Sequence, residues 1–467
     1  MLRIPVWGWA LVCFVLCIAG VLWRWPAFDH LSNYSFYSFG NLQYSDVLNF
    51  YPARNLAAHQ IPYLQEDIEY PVLTGLTMWL AALVPDIHGY FIASAVVLSL
   101  CMVGCVLMLG RLQPATGLWR FALAPAVPLY VILNWDALGL IALVAAVFFL
   151  RRQQFNLAGV CLAAGTSAKL FPAFILPAVL VYSFCFGWYA LGQPNAGGVK
   201  RQLLVRLTPV LNLLVSFTAV ALAINMPVAL LNWHGWSYFI QFQSFRGMNP
   251  DAIWAHIPGS SEDLANTWYP RLFVVVLAFI VFELWRHRGV GWEAASLLCV
   301  LDFLLFTKDY SPQYDLWILP LLALLLCPLW LWLIYCVADV AYYTGIFWNY
   351  FMAFGGHPPF ITDGGKLLDY TVRGREAMLA LVFVWGYIRL RSASPAWGFP
   401  MARSFRPSAR ARFDLSGLQS LLPLFAALTL WSLGAFGPAM FARLDSAGWM
   451  TARRWQATAR QLARREL

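Results

Sequence analysis

Charged residues are scarce in this chain of 467 residues. Asp, Glu, Lys and Arg together make up 11% of it, whereas 61% is hydrophobic. Soluble domains carry about 25% charged residues, so the composition excludes an ordinary soluble protein. Apolar runs long enough to span a bilayer recur along the whole sequence. We therefore predict an all-α, polytopic integral membrane protein with roughly 12–14 transmembrane or re-entrant helices.

The sequence also lacks the ligand spacing of a metal site. Its nine cysteines all lie in or at the ends of apolar runs. Cys13 and Cys17, like Cys101 and Cys105, are one helical turn apart, but no His or further Cys joins either pair. Buried helix surface is the better interpretation of both pairs. We expect neither a metal nor another cofactor.

No nucleic-acid-binding module accompanies the net charge of +9, which comes mainly from arginines in short loops and in the C-terminal tail. Nucleic acid is therefore not an expected partner. Arginines in such positions are typical of cytoplasmic loops and of contacts with anionic lipid. The 23 Trp and 20 Tyr residues fit aromatic belts at the two membrane interfaces.

Three polar segments interrupt the apolar runs, at about residues 26–70, 231–269 and 307–315. Counting the spans between basic loops places all three segments on one side of the membrane. The first segment is long enough to form surface helices as an outer loop. The predicted spans lie near residues 4–25, 71–84, 89–110, 119–134, 137–150, 155–187 (two spans), 207–230, 270–285, 291–306, 315–334, 335–354, 376–391 and 419–441.

Segment 71–84 is awkward for this topology. Cytoplasmic placement of both Arg111 and Arg152 by the positive-inside rule requires an odd number of crossings between residues 71 and 110, so the segment is a candidate re-entrant helix. The basic linker at 392–418 and the basic tail at 442–467 pose a similar problem, because one predicted span separates them. Either that span re-enters or the tail lies on the outer surface.

The first polar segment contains the best candidate for catalysis. Residues 44–71 read YSDVLNFYPARNLAAHQIPYLQEDIEYP. Asp46 opens a stretch that can form an interfacial helix, and Pro62 breaks that helix. A carboxylate held at the membrane surface among aromatic residues suits a base that acts on a polar acceptor beside a lipid. The alternative is that Asp46 only caps the helix or lies in its first turn.

This stretch resembles the C-type glycosyltransferase (GT-C) superfamily, and within it family 87, the polyprenyl-phosphate-mannose-dependent α-mannosyltransferases. The likeness lies in an Asp in the first outer loop, a Tyr-rich helix, a Pro-Tyr turn and Glu69-Tyr70-Pro71 before the next span. Further matches follow in order at 168–172 (AKLFP), 233–247 and 311–320. We assign residues 1–320 to a GT-C-like catalytic module, 321–441 to additional transmembrane helices and 442–467 to a basic tail.

The resemblance implies transfer of a hexose, with mannose favoured, from a polyprenyl phosphate to a lipid-linked or glycan acceptor. It implies Asp46 as general base and inversion at the anomeric carbon, in a reaction of glycolipid biosynthesis. The leaving lipid phosphate is already a stable anion, so cationic side chains can stabilise it without a divalent metal. The expected location is a bacterial plasma membrane, with the active site on the extracytoplasmic side.

Cationic residues are the candidates for binding the donor phosphate. Lys169 lies within an apolar helix pair, where an ammonium is costly and indicates function, although snorkelling to the interface is the alternative. Arg246 can hold a phosphate through two hydrogen bonds, or it is a loop arginine paired with Asp251. His234 is the third candidate. The expected substrate-binding residues are Tyr44, Glu69, Tyr70, Asp136, Trp233, Gln313 and Tyr314.

Asp136 departs from the family pattern. It lies in Asn134-Trp135-Asp136, where the family often reads Gly-Gln-x-Asn, and this difference leaves the acceptor open.

A transporter or flippase of a lipid-linked solute is the main rival function. Such proteins place ionisable residues in mid-helix and show internal repeats. Here Lys169 and Asp302 are the main exceptions to a pattern of charges confined to loops, and no repeat is visible. A non-catalytic assembly partner is a third possibility. The pattern together with the resemblance favours the enzyme.

Overall fold

The computed structural model describes residues 4–190, 199–359 and 361–393. Its regular secondary structure in these ranges is helical, apart from an isolated bridge between Pro62 and Glu66. The predicted all-α fold is therefore confirmed for this part of the chain. The predicted span at 419–441 and the basic tail at 442–467 lie outside the described residues, as does most of the linker at 392–418.

The helices follow one another with short connections, several of them single 3₁₀ turns. In chain order they are α1 (Val6–Arg24), α2 (Tyr34–Gly40), α3 (Asp46–Ala53), α4 (Val72–Ala81), α5 (Asp86–Leu109), α6 (Trp119–Ala122), α7 (Ala126–Tyr130), α8 (Asp136–Arg151), α9 (Phe155–Ala168), α10 (Leu176–Ala190), α11 (Val199–Leu231), α12 (Trp233–Phe245), α13 (Glu262–Arg286), α14 (Trp292–Phe306), α15 (Leu319–Leu324), α16 (Leu329–Ala353) and α17 (Gly364–Ser392).

Six described stretches are long and apolar enough to cross a membrane. This finding agrees with a polytopic membrane protein, while the total of 12–14 helices stays a prediction. The six stretches are Val6–Gly40, Asp86–Leu109, Phe171–Trp188, Arg206–Leu231, Glu262–Arg286 and Leu329–Ala353.

Two sets of predicted spans are wrong, and proline accounts for both. Residues 119–134 form only the short helices α6 and α7, because Pro125 has no backbone N–H with which to continue α6. The predicted pair at 315–334 and 335–354 is instead the six-residue α15 followed by one long α16. Pro328 is the N-cap of α16, so the chain starts a new helix there.

Helices α13 and α17 begin earlier than predicted because each has an N-cap that the apolar pattern does not show. The Ser261 side chain accepts a hydrogen bond from the Leu264 backbone N–H at 3.1 Å. The Asp363 side chain accepts one from the Lys366 backbone N–H at 3.0 Å. Such caps satisfy N–H groups that have no partner within the helix. The predicted loop 231–269 therefore contains α12 and the start of α13.

Helix α4 explains the awkward segment 71–84. Its ten residues extend about 15 Å, half the thickness of a bilayer core. The Thr74 hydroxyl donates to the carbonyl of Ala168 at 2.6 Å, and the Trp79 indole donates to the carbonyl of His59 at 3.3 Å. Both ends of α4 thus stay on the side where the first polar segment lies, and α5 starts from that side.

The three polar segments meet at one end of the helix bundle, which we call the polar end. The backbone N–H of Asp46 donates to the carbonyl of Leu133 at 2.8 Å, and that of Asn249 donates to the carbonyl of Lys308 at 3.0 Å. At the opposite end, which we call the basic end, Arg151 pairs with Glu293 at 3.0 Å. The arginines of the basic end are Arg111, Arg120, Arg151, Arg152, Arg206, Arg286, Arg288, Arg389 and Arg391.

Hydrogen bonds from Arg24 connect the end of α1 to the polar end. Its side chain is fully buried, and its guanidinium donates only to groups of the protein. Because a buried guanidinium needs acceptors for its N–H groups, these bonds fix where the chain enters the first polar segment. The acceptors are the carbonyl oxygens of Gly20, Tyr44, Pro128 and Leu129 and the hydroxyl of Tyr343.

The two ends are predicted to face opposite sides of the membrane. Single cysteines are placed at the exposed positions 86 and 366 of the polar end and 152 and 286 of the basic end, in a background without the nine native cysteines. An impermeant thiol reagent applied to sealed vesicles should label the first pair and the second pair from opposite sides. Labelling of positions 86 and 286 from the same side would contradict the arrangement.

Candidate functional site

A cavity of about 340 Å³ lies at the polar end. Pockets for small ligands span about 300–1,000 Å³, so its size suits a sugar-sized or similar molecule. All three polar segments contribute to its walls, and α16 adds two aromatic rings. Among the residues that line the cavity are Tyr44, Asp46, Glu69, Tyr70, Asn134, Lys169, Arg246, Asn249, Asp251, Tyr310, Gln313, Tyr314, Phe347 and Tyr350.

Asp46 is the first residue of α3, is half-buried and lines the cavity. Its Oδ1 accepts a hydrogen bond from the Tyr44 hydroxyl at 3.0 Å, and its Oδ2 accepts one from the Asn134 amide at 2.6 Å. Asp46 does lie in the first turn of the helix, as the alternative interpretation expected. However, its oxygens bind side chains that line the cavity, and no N–H of α3 donates to them.

Burial raises the pKa of Asp46 to about 6. The hydrogen bonds from Asn134 and Tyr44 and the charge of Lys169 oppose part of that rise, whereas the charge of Glu69 adds to it. At neutral pH the carboxyl is therefore ionised, yet it is a stronger base than an exposed Asp. A base with a pKa near the working pH is suited to proton abstraction.

Lys169 follows α9 and is almost completely buried, with 8% of its side chain exposed. Its Nζ donates to Asn134 Oδ1 at 2.7 Å and lies 3.2 Å from Asp136 Oδ2. It also lies 4.1 Å from the centre of the Tyr70 ring. The ammonium thus turns toward a buried anion at the polar end and does not snorkel to the interface.

Asp136 stands behind Lys169 and does not line the cavity. It is fully buried, and its Oδ1 accepts a hydrogen bond from the Trp317 indole at 2.7 Å. The predicted substrate-binding position is therefore occupied by a carboxylate that balances the charge of Lys169. Asp136 could therefore affect a bound substrate only through its effect on Lys169.

Arg246 lies at the end of α12 and reaches the cavity from the opposite wall. Its Nη1 donates to Asp309 Oδ2 at 2.9 Å, and the Asn249 amide donates to the other oxygen of Asp309. Asp251, the partner of Arg246 in the alternative interpretation, accepts instead from the Tyr342 hydroxyl at 2.7 Å. Burial raises the pKa of Asp309 to about 6, and the charge of Arg246 opposes that rise.

The structure does not bring Trp233 and His234 to the cavity. They are the first two residues of α12, and the buried positions of that helix are Gly235, Ser237 and Phe239. Trp233 is 64% exposed, and His234 Nε2 lies 3.4 Å from Asp67 Oδ2 near the surface. His234 is thus not placed to hold a phosphate together with Lys169 and Arg246.

The other predicted contacts line the cavity. Glu69 is held by Arg54 through two hydrogen bonds of 2.6 and 2.8 Å, so its charge is balanced. Tyr314 stacks on Trp317 with ring centres 4.0 Å apart. Gln313 is 5% exposed. It follows Pro312, the first residue of a 3₁₀ helix.

Sequence reasoning missed several residues of the cavity. Asn249 lies in the second polar segment, so its position was a signal, but its hydrogen bond to Asp309, the partner of Arg246, depends on the tertiary fold. Phe347 and Tyr350 belong to α16, beyond residue 320, where no motif was recognised. In the sequence, these two aromatic residues cannot be distinguished from residues of an interfacial aromatic belt.

Within the described residues, no group of three or more His, Cys, Asp and Glu side chains is arranged to hold a metal ion. Three charged side chains of the cavity pair with residues outside its lining, namely Glu69 with Arg54, Lys169 with Asp136 and Arg246 with Asp309. No protein-family model matches the chain, and no curated protein matches it.

Lys169→Met should destabilise the protein because it leaves the Asp136 carboxylate buried without a counter-charge. Breaking a buried pair from one side costs about 3–5 kcal/mol, whereas an exposed pair contributes about 0–1 kcal/mol. Thermal unfolding of the purified variants in detergent measures the difference. The control is Lys366→Met, since Lys366 is 76% exposed and pairs with Asp363.

Adding Asp136→Asn to Lys169→Met should restore part of the lost stability, because the two residues are directly coupled. Equally small shifts in melting temperature for Lys169→Met and Lys366→Met would show that the buried pair of Lys169 and Asp136 does not contribute to stability in this way.

Proposed function

We propose that this protein is a membrane glycosyltransferase of the GT-C type, most similar to family 87. It transfers a hexose, with mannose favoured, from a polyprenyl phosphate to a lipid-linked or glycan acceptor. The observation that carries the proposal is the state of Asp46, a carboxylate with a raised pKa on the wall of a polar and aromatic cavity. Its hydrogen bonds to Tyr44 and Asn134 fix its orientation.

The chemistry assigned to Asp46 is general-base catalysis. The acceptor hydroxyl gives its proton to the carboxylate while its oxygen attacks the anomeric carbon of the donor. The bond from that carbon to the phosphate oxygen breaks, the electron pair leaves with the lipid phosphate, and the anomeric configuration inverts. An ionised carboxylate has about four acceptor positions, and Asp46 uses two within the protein. Others are available to a substrate hydroxyl.

Arg246 is the residue best suited to hold the donor phosphate. A guanidinium has five N–H donors, and Arg246 uses Nη1 for Asp309. Its side chain is 32% exposed, so further donors are available to an anion without breaking the existing pair. Lys169 is linked to Asp46 through Asn134, but Asn134 and Asp136 already engage its ammonium. We assign it to orienting the base and to stabilising negative charge nearby.

Aromatic and apolar surface beside the cavity supports a lipid-linked donor. The rings of Phe39, Phe242, Phe347 and Tyr350 line its walls, and flat rings of this kind suit both sugar faces and isoprenoid chains. Phe245, which directly precedes Arg246, is 85% exposed, and Ile240 on the same helix is 47% exposed. An anionic headgroup at Arg246 therefore has apolar surface close by for its chain.

The basic end provides the argument for orientation. Arginines concentrate in cytoplasmic loops, so we assign the basic end to the cytoplasm and the cavity to the extracytoplasmic face. The proposed location is a bacterial plasma membrane, and no cofactor is part of the reaction.

Asp46→Asn should lower the turnover number for hexose transfer by at least about 100-fold, because general-base catalysis typically contributes about 10²–10⁴. Wild-type turnover should also fall as the pH drops below about 6, since protonated Asp46 cannot accept a proton. The matched control is Asp86→Asn. Asp86 is also the first residue of a helix at the polar end, and it accepts from the Gly89 backbone N–H at 2.9 Å.

The two roles can be separated kinetically. Asp46→Asn should affect mainly the turnover number, whereas Arg246→Ala should raise the KM for the donor, because one group acts in the chemical step and the other in binding. Near-wild-type turnover in a monodisperse Asp46→Asn protein would contradict the assignment of the base.

A further inference from the structure

Asp251 has an unused acceptor atom at the wall of the cavity. The residue lies between α12 and α13 and is 2% exposed, and it belongs to the cavity lining. Its Oδ2 accepts from the Tyr342 hydroxyl at 2.7 Å. Its Oδ1 is buried and has no hydrogen-bond partner among the described residues.

This vacancy distinguishes Asp251 from the other carboxylates of the cavity. Asp46 accepts one hydrogen bond on each oxygen. Both oxygens of Glu69 bind Arg54. Buried polar atoms are bonded in the great majority of cases, and a buried acceptor without a donor costs free energy. Because Asp251 lines the cavity, its unpaired oxygen points to a ligand there that supplies the donor.

Asp251 lies near two arginines, although its Oδ1 lacks a hydrogen bond. Burial raises the pKa of this carboxyl, and the Tyr342 hydroxyl, the charge of Arg375, the backbone N–H of Asp251 itself and the charge of Arg246 oppose the rise. Arg375 is fully buried, and its guanidinium lies 3.6 Å from the centre of the Tyr310 ring and 4.3 Å from that of Tyr342. Each of these arginines already pairs with another carboxylate, Arg246 with Asp309 and Arg375 with Glu376. A hexose, the ligand of the proposed function, offers neutral hydroxyls that can supply the missing donor.

We propose that Asp251 is a specificity-determining residue whose Oδ1 accepts a hydrogen bond from one hydroxyl of a hexose bound in the cavity. The inference rests on the proposed function, because the hexose is that of the donor or that of the acceptor. Tyr342 holds the carboxylate, and Arg375 packs against Tyr342. Both are positioning residues that act through Asp251.

Equilibrium binding in nanodiscs tests this without requiring turnover. The ligands are a short-chain polyprenyl-phosphate mannose, an octyl mannoside and the monodeoxy analogue of each at every hydroxyl position. In the wild type, loss of one particular hydroxyl should weaken binding by about tenfold to a hundredfold, as expected for a hydrogen bond to a charged group. The ligand in which that position occurs identifies the sugar as donor or acceptor.

The variants Asp251→Ala and Asp251→Asn should bind the parent sugar more weakly, and Asp251→Ala should no longer distinguish it from the critical deoxy analogue. Asp251→Asn keeps the size of the side chain and an acceptor for Tyr342, which guards against a folding defect. The control is Asp302→Asn. Asp302 is another buried carboxyl whose oxygens have no hydrogen-bond partner among the described residues, but it does not line the cavity.

Two outcomes overturn the inference: no single hydroxyl matters in either ligand, or the critical hydroxyl matters equally in wild type and Asp251→Ala. The second outcome is also expected if water alone occupies Oδ1. Failure of the proposed function gives a different result, namely hydroxyl-dependent binding that requires Asp251 without any transfer of mannose. If mannose is transferred but the Asp251 variants still distinguish the parent sugar from the critical deoxy analogue as the wild type does, only the role of Asp251 is contradicted.

Discussion

The arrangement of side chains at the polar end depends on the hydrogen bonds of the Asn134 side-chain amide. Its nitrogen donates to Asp46 at 2.6 Å and to the Tyr70 hydroxyl at 2.8 Å, and its oxygen accepts from Lys169 at 2.7 Å. The residue is 1% exposed, so water cannot replace these bonds easily. One amide therefore bridges the proposed base Asp46 and the cation Lys169.

The rest of the fold holds Asn134 in place. The backbone just before it is bonded on one side to the first polar segment, through the Asp46 N–H and the Ser45 hydroxyl. On the other side Arg24 donates to carbonyl groups of the segment between α6 and α8. Buried ion pairs often contribute little net stability, and their best-attested role is to specify one arrangement. The pair of Lys169 and Asp136 fits that role, since it selects one position for the amide.

The sequence predicted the parts of this site that local chemistry marks. Asp46, Lys169, Arg246 and Tyr314 are polar or aromatic residues at unusual positions in a membrane chain, and the structure places all four at one cavity. Proline and N-capping residues explain where the predicted helices were wrong, because an apolar pattern alone does not show where a helix starts. The all-helical membrane class followed from composition, since a chain with so few charges cannot cover itself with polar surface.

Pairing between distant segments could not be predicted in the same way. Asp251 is the acidic residue nearest to Arg246 in the sequence, and only the packing of the segment after α12 against residues 307–315 makes Asp309 its partner. His234 and Trp233 lie outside the cavity because of the rotation of α12 about its axis. The contribution of Phe347 and Tyr350 depends on where α16 packs, which no local signal in an apolar helix reveals.

The anomeric configuration of the product tests the central claim most directly. Purified protein is incubated with labelled polyprenyl-phosphate mannose and a mannoside acceptor, and the new linkage is assigned by NMR. A single displacement assisted by Asp46 predicts a mannosylated acceptor whose linkage is inverted relative to the donor. A product with retained configuration would contradict this mechanism. Movement of the intact lipid-linked sugar across a vesicle membrane, with no new linkage formed, would contradict the enzyme itself and favour a flippase.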